Sequence, residues 1–137
     1  DDLYLGQKDY QQCMVIKKLV ELENINTTIH ICPTLRETSG LAMSSRNMRL
    51  TEESQKQALK IYETLSYLKN NSKPGNLTAL KQTAIDNLTN AGFKVDYIEI
   101  ADAGNLDIIN HWDGNSKLVA VAAAFLGEVR LIDNMLL

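Results

Sequence analysis

Cysteine is scarce in this chain. Only Cys13 and Cys32 are present, far apart and flanked by apolar residues, so they read as reduced core thiols rather than a disulfide framework or a metal site. Positive charge is also short: 14 Lys and Arg stand against 17 Asp and Glu, a formal net charge of -3, which leaves no global field to hold a nucleic-acid backbone. Long apolar runs are missing. The longest, Leu118 to Leu126, falls far short of the ~20 residues that span a bilayer, and no signal-peptide pattern opens the chain. The reading is a cytoplasmic protein with no membrane or nucleic-acid partner. Repeats and low-complexity segments are absent, and what is present is 137 residues, 45% hydrophobic and 23% charged, within the range of ordinary globular domains.

The chain opens without Met, on a short apolar stretch, Leu3-Tyr4-Leu5, that reads as the end of a buried strand and so places its start in mid-architecture. Gly6 supplies a permissive turn after it. Asp9 as N-cap and Gln12 in the capping-box position predict a helix of about residues 10–22, with Met14, Val15, Leu19 and Leu22 as its buried stripe. Ile29 to Cys32 is a second short strand, ended by Pro33, so residues 3–32 make one strand–helix–strand crossover. Residues 34–49 form a long polar loop. Thr51 then caps a helix whose inner face is Ala58, Ile61, Tyr62, Leu65 and Leu68. A second helix over residues 77–91 buries Leu77, Leu80, Ala84, Leu88 and Ala91 and ends at Gly92. Strands are expected at residues 93–100 and 118–126, the latter closing a hairpin with Val129 to Ile132. Two helices on a mainly antiparallel sheet make an α+β unit.

Two segments carry candidate chemistry. Gly6-Gln7-Lys8-Asp9 lies between a strand end and a helix start, where free N–H groups meet anions; Lys8 adds a point charge for a phosphate and Asp9 an acceptor for a ribose. The plainer reading is a tight turn with a solvated lysine. Met43-Ser44-Ser45-Arg46-Asn47 sets two hydroxyls beside a guanidinium, a set suited to a polyphosphate, against the plainer reading of a solvated linker. His30 reads as core and His111 as surface. Asp96, Asp102, Asp107 and Asp113 read as solvated caps and turns, and Arg130 with Asp133 as a structural pair.

Taken in order, residues 5–12 (Leu-Gly-Gln-Lys-Asp-Tyr-Gln-Gln), 33–37 (Pro-Thr-Leu-Arg-Glu), 40–47 (Gly-Leu-Ala-Met-Ser-Ser-Arg-Asn) and 130–134 (Arg-Leu-Ile-Asp-Asn) resemble successive motifs of the pantothenate synthetases, the pantoate–β-alanine ligases. The resemblance runs the whole length of the chain. It implies the C-terminal portion of such an enzyme: residues 1–42 as an α/β remnant of a Rossmann-type nucleotidyltransferase domain, residues 43–49 as a phosphate-binding hinge loop, and residues 50–137 as a small α+β C-terminal lid.

The resemblance further implies an ATP-dependent, AMP-forming ligation in which pantoate becomes pantoyl adenylate and β-alanine displaces AMP, with Mg2+ entering as part of the ATP complex. Catalytic roles would fall to Lys8, Ser44, Ser45 and Arg46. The ATP site would add Gly6, Asp9, Leu35 and Met43, and Gln12 would bind pantoate. Gln7 stands where some members carry Glu. The histidine motif resembling HIGH and most of the acid pocket have no counterpart here, so the chain alone is expected to be inactive, and the intact enzyme is expected to be a homodimer. Two other readings compete: a related nucleotidyltransferase with other substrates, and a non-catalytic binding or assembly module.

Overall fold

A computed structural model describes residues 1–137. It opens with β1 (Asp2–Gly6), a 3₁₀ turn (Gln7–Asp9), α1 (Tyr10–Leu22) and β2 (Thr28–Cys32). As the crossover pattern predicts, β1 and β2 pair in parallel, Leu3 against Ile29 and Leu5 against Ile31. The expected cap is not there. The 3₁₀ turn already winds the chain before α1, and Asp9, at φ -96° and ψ 55°, lies outside the extended region from which a side chain caps.

The buried stripe of α1 is also displaced. Tyr10 and Cys13 are its buried residues, Met14, Ile16 and Val20 are half-buried, and Val15, Leu19 and Leu22 are exposed, so the inward face is rotated from the expected one. The Tyr10 hydroxyl donates to the Ala103 carbonyl at 2.6 Å and fixes that end. β1 is mostly exposed rather than buried, and Cys32 is exposed, so Cys13 is the one core thiol. Burial, with the Asp9 carboxylate nearby, pushes the Cys13 thiol above its ordinary range. His30 leaves the expected core as well: on the exposed β1–β2 pair it stacks on Tyr4 at 4.7 Å and its Nε2 meets Asp2 Oδ1 at 2.7 Å.

Beyond β2 the chain runs irregularly, pinned by a bridge between Arg36 and Ala42, into a second 3₁₀ turn, Ser45–Arg49. Thr51 caps α2 (Glu52–Asn71), accepting the Ser54 N–H at 3.1 Å, with Glu52 and Glu53 at the positive end of the dipole. A short β3 (Gly75–Asn76) leads to α3 (Thr78–Asn90), which terminates at Gly92, whose φ of +88° is a left-handed helix end. β4 (Lys94–Asp102), β5 (His111–Trp112), β6 (Leu118–Leu126) and β7 (Val129–Leu136) follow. β3 pairs with β5, and the main sheet is antiparallel in the order β4-β6-β7.

β6 explains its own uninterrupted apolar sequence. Ala120, Ala122 and Ala124 face α2 and α3 within one core, while Val119 and Val121 face Tyr10 of α1 in a second, so both faces of the strand are covered. Leu65, Leu68, Leu88 and Ile100 are fully buried in the first core, each contributing about 1.5–3 kcal/mol by burial.

The expected Arg130–Asp133 pair does not form. Side chains three apart on a strand point to opposite faces, so Arg130 pairs with Asp96 at 2.7 Å and Asp133 with Arg36 at 2.6 Å. Asp96 is thereby an ion-pair partner rather than a solvated cap. Asp102 and Asp113 do close turns, accepting the N–H groups of Gly104 and Asn115.

Candidate functional site

The carboxyl end of a parallel strand is where ligands enter open α/β sheets, and β1 delivers the turn carrying Lys8 to that place. Lys8 is half-buried and belongs to none of the chain's ion pairs. Opposite it stands the loop before α2, where the Ser44 hydroxyl accepts the Arg46 N–H at 3.2 Å and so orients the Ser44–Arg46 turn. The Arg46 guanidinium donates one bond, to the Arg130 carbonyl at 3.2 Å.

Lys8, Ser44 and Arg46 line one pocket, with Asn47 and Asp133 as further polar groups and an apolar wall that includes Ile61 and Tyr62 of α2 and Leu131 of β7. Two cations thus meet hydroxyl and amide donors in a chain whose net charge is -3. The only carboxylate in that lining, Asp133, is already held by Arg36. Such a set attracts an anion with several oxygens.

The other expected site residues divide between two further concavities. Gly6, Asp9 and Gln12 line one on the β1–α1 side, and Met43, Ser44 and Ser45 line an open groove beside the start of α2. Ser44 belongs to both the groove and the Lys8 pocket. Leu35 lines none of the three; the residue is 70% exposed and its carbonyl accepts the Met43 N–H at 2.9 Å. Gly6 has an ordinary extended backbone, φ -77°, so no turn requires glycine there, and a Cβ would meet nothing within 4 Å.

Arg36, Tyr62 and Asn134 received no site role from the sequence, Tyr62 being read only as an inner-face residue of its helix, yet they hold the pocket together. Arg36 makes a bidentate pair with Asp133, 2.6 and 2.9 Å, while donating to the Gly40 carbonyl at 3.0 Å and lying 4.8 Å over the Tyr62 ring. Gly40 is obligatory in this packing. Its φ is +101°, and a Cβ would come within 2.6 Å of the Tyr62 ring. Asn134 ties β7 to the Lys8 turn by bonds to the Gln7 and Lys8 carbonyls. The Asp133 partner of Arg36 is 97 residues away and the Gln7 and Lys8 partners of Asn134 more than a hundred, so no local pattern announces them.

No group of three or more His, Cys, Asp or Glu gathers to hold a metal ion, and no helix is long and apolar enough to cross a membrane. Against known families, the profile described as Pantoate-beta-alanine ligase matches residues 1–136. The chain belongs to that family. Among pantoate–β-alanine ligase relatives, the pantothenate synthetase of Clostridioides difficile (strain 630) is 43% identical over 98% of this chain and 48% of its own length. That of Azobacteroides pseudotrichonymphae is 40% identical over 96% of this chain and 48% of its own.

Solved pantoate–β-alanine ligase structures share the fold. Pantothenate synthetase from Thermus thermophilus superposes with a TM-score of 0.86 at 30% identity, covering 98% of this chain and 49% of that one. A Francisella tularensis pantoate–β-alanine ligase, complexed with beta-gamma ATP and beta-alanine, gives a TM-score of 0.65 at 39% identity, covering 98% of this chain and 43% of that one. The chain therefore spans about half the length of the relatives it matches.

Proposed function

We propose that the intact protein joins pantoate to β-alanine, forming pantothenate through a pantoyl adenylate and releasing pyrophosphate and AMP. The observation that carries this reading is the meeting of Lys8 with Ser44 and Arg46, from two separate segments, at one pocket. In the first step a pantoate carboxylate oxygen attacks the α-phosphorus of ATP and pyrophosphate departs with the bonding pair. Negative charge grows on the phosphate oxygens as this happens. Lys8 and Arg46 offset that charge, with Ser44 as a neutral donor in the same pocket and Ser45 reaching it from the adjoining groove. In the second step the β-alanine amine attacks the acyl carbon, loses a proton, and AMP leaves. Mg2+ enters on the ATP phosphates as part of the substrate.

The nucleotide runs from this pocket toward the β1 side. Asp9 and the Gly6 backbone hold the ribose hydroxyls, for which the open space above Gly6 leaves room. The Leu35 carbonyl, with one lone pair engaged by Met43, keeps a second for the adenine amino group, and Met43 flanks the ring. Gln12, one turn into α1, reaches pantoate. Residues 1–42 then belong to a Rossmann-type nucleotide-binding unit, 43–49 to a hinge, and 50–137 to a lid. The separate β1–β2 and β4-β6-β7 sheets support that division. The intact protein is proposed as a cytoplasmic homodimer.

Pantoate-dependent ATP–pyrophosphate exchange tests the reading, and Gln12→Ala sharpens it. Loss of the amide leaves a pantoate oxygen unpaired, a cost of about 1–3 kcal/mol, so the apparent constant for pantoate should rise roughly 5- to 150-fold with that for ATP little changed. An equal rise for both substrates would contradict a pantoate contact and indicate a distorted helix.

A polypeptide of these 137 residues alone is expected to fold from about Leu50 onward, to bind ATP at best at about millimolar strength, and to make no pantothenate. Calorimetric titration with ATP and a product assay check this. Micromolar affinity or measurable turnover would show that the machinery is complete within the chain.

A further inference from the structure

Resting on the reading above, in which Lys8 faces the ATP phosphates, we infer that Asn134 is the positioning residue for Lys8. The turn that carries Lys8 has 3 residues, Gln7–Asp9, and so short a 3₁₀ element makes too few internal hydrogen bonds to fix its own orientation. Its carbonyls converge instead on one carboxamide. Asn134 Nδ2 donates to the Gln7 carbonyl at 2.8 Å and to the Lys8 carbonyl at 3.0 Å. Gln7 Nε2 returns a bond to Asn134 Oδ1 at 3.2 Å. Asn134 is 2% exposed, so these bonds stand in place of water.

The chemistry of the group matters. Two donors on one nitrogen and an acceptor beside them are what an amide offers; a carboxylate would set negative charge against two carbonyls. Asn134 is itself anchored on β7, where it pairs across the sheet with Val121 and its carbonyl accepts Arg36 Nη2 at 3.3 Å. The neighbouring residues of that strand, Leu131 to Asp133, form part of the pocket wall. Asn134 therefore fixes the Lys8 backbone to the same strand that shapes the pocket, and the distance between the ammonium and the pocket is set from β7.

A double-mutant cycle on pantoate-dependent ATP–pyrophosphate exchange in the intact protein tests this, with thermal unfolding measured alongside. Asn134→Ala should lower kcat about 10- to 100-fold, the scale of a side chain that acts by placing another. In a Lys8→Ala background the same substitution should cost less than about threefold, since the group it places is gone. Asn134→Ser, which keeps a hydroxyl in part of the space, is read by the same cycle should Asn134→Ala not fold. An equal loss in both backgrounds would make Asn134 a structural residue only. If Lys8→Ala slows exchange and Asn134→Ala does not, Asn134 has no positioning part. If Lys8→Ala leaves exchange intact, the phosphate role of Lys8 fails first and the role of Asn134 with it.

Discussion

Replacing either Lys8 or Arg46 with alanine is expected to slow adenylate formation on the order of 100- to 1,000-fold, the cost of removing one preorganised donor from a charge-developing transition state. Stability should change little. Lys8 has no ion-pair partner to leave stranded, and the Arg46 bond to the Arg130 carbonyl is exposed, so its loss amounts to about 1 kcal/mol or less. ATP–pyrophosphate exchange, run beside a thermal unfolding curve, separates the two effects. Arg46→Lys should recover part of the rate, because it keeps the charge and loses the planar fork that matches phosphate oxygens. Near-normal exchange in both alanine variants would remove these residues from the mechanism.

The largest effect on stability should come from Arg36→Ala. The Asp133 side chain is 5% exposed, and its two oxygens are held by Arg36 in a bidentate pair. Removing one partner of a buried pair leaves the other charge uncompensated, a loss of about 3–5 kcal/mol. The substitution also frees the Gly40 carbonyl and uncovers the Tyr62 ring. Removing both partners, as Arg36→Ala with Asp133→Ala, should cost less than Arg36→Ala alone. Urea denaturation reads both. A loss below about 1 kcal/mol for Arg36→Ala would mean that the pair behaves like an exposed surface contact.

How much the sequence revealed varied with where the stabilising partners lie. α2, α3 and the β6–β7 hairpin were legible because their apolar spacing repeats at the periods of the elements that bury it, and both cores are built from residues of this chain. α1 misled. Its length was legible, but which face is buried depends on its neighbours, and here that face runs through Tyr10, Cys13, Ile16 and Val20 rather than Val15, Leu19 and Leu22. His30 misled for the same reason: an apolar strand implies a core only when something covers it. The Arg130–Asp133 expectation failed on strand alternation, which sends residues three apart to opposite faces.

In the candidate site, Lys8, Ser44 and Arg46 were legible from residue chemistry and motif order. The resemblance also grouped them in one set; the division of Ser45 and Met43 into a groove, and of Gly6, Asp9 and Gln12 into another concavity, was not legible. The groups that bring Lys8, Ser44 and Arg46 together, Arg36 with Asp133 and Asn134 with the Gln7–Lys8 turn, act across 97 and more than a hundred residues and leave no periodic trace.

The central claim is that the carboxylate is activated on the α-phosphate of ATP, and the fate of its oxygen tests this most directly. The intact protein is incubated with ATP, β-alanine and pantoate carrying heavy oxygen in its carboxylate, and the products are read by mass spectrometry. An acyl adenylate leaves one carboxylate oxygen on phosphorus when the amine attacks carbon, so AMP should carry the label and pyrophosphate none. Label appearing in inorganic phosphate, with ADP as the nucleotide product, would place the attack on the terminal phosphate and contradict the account.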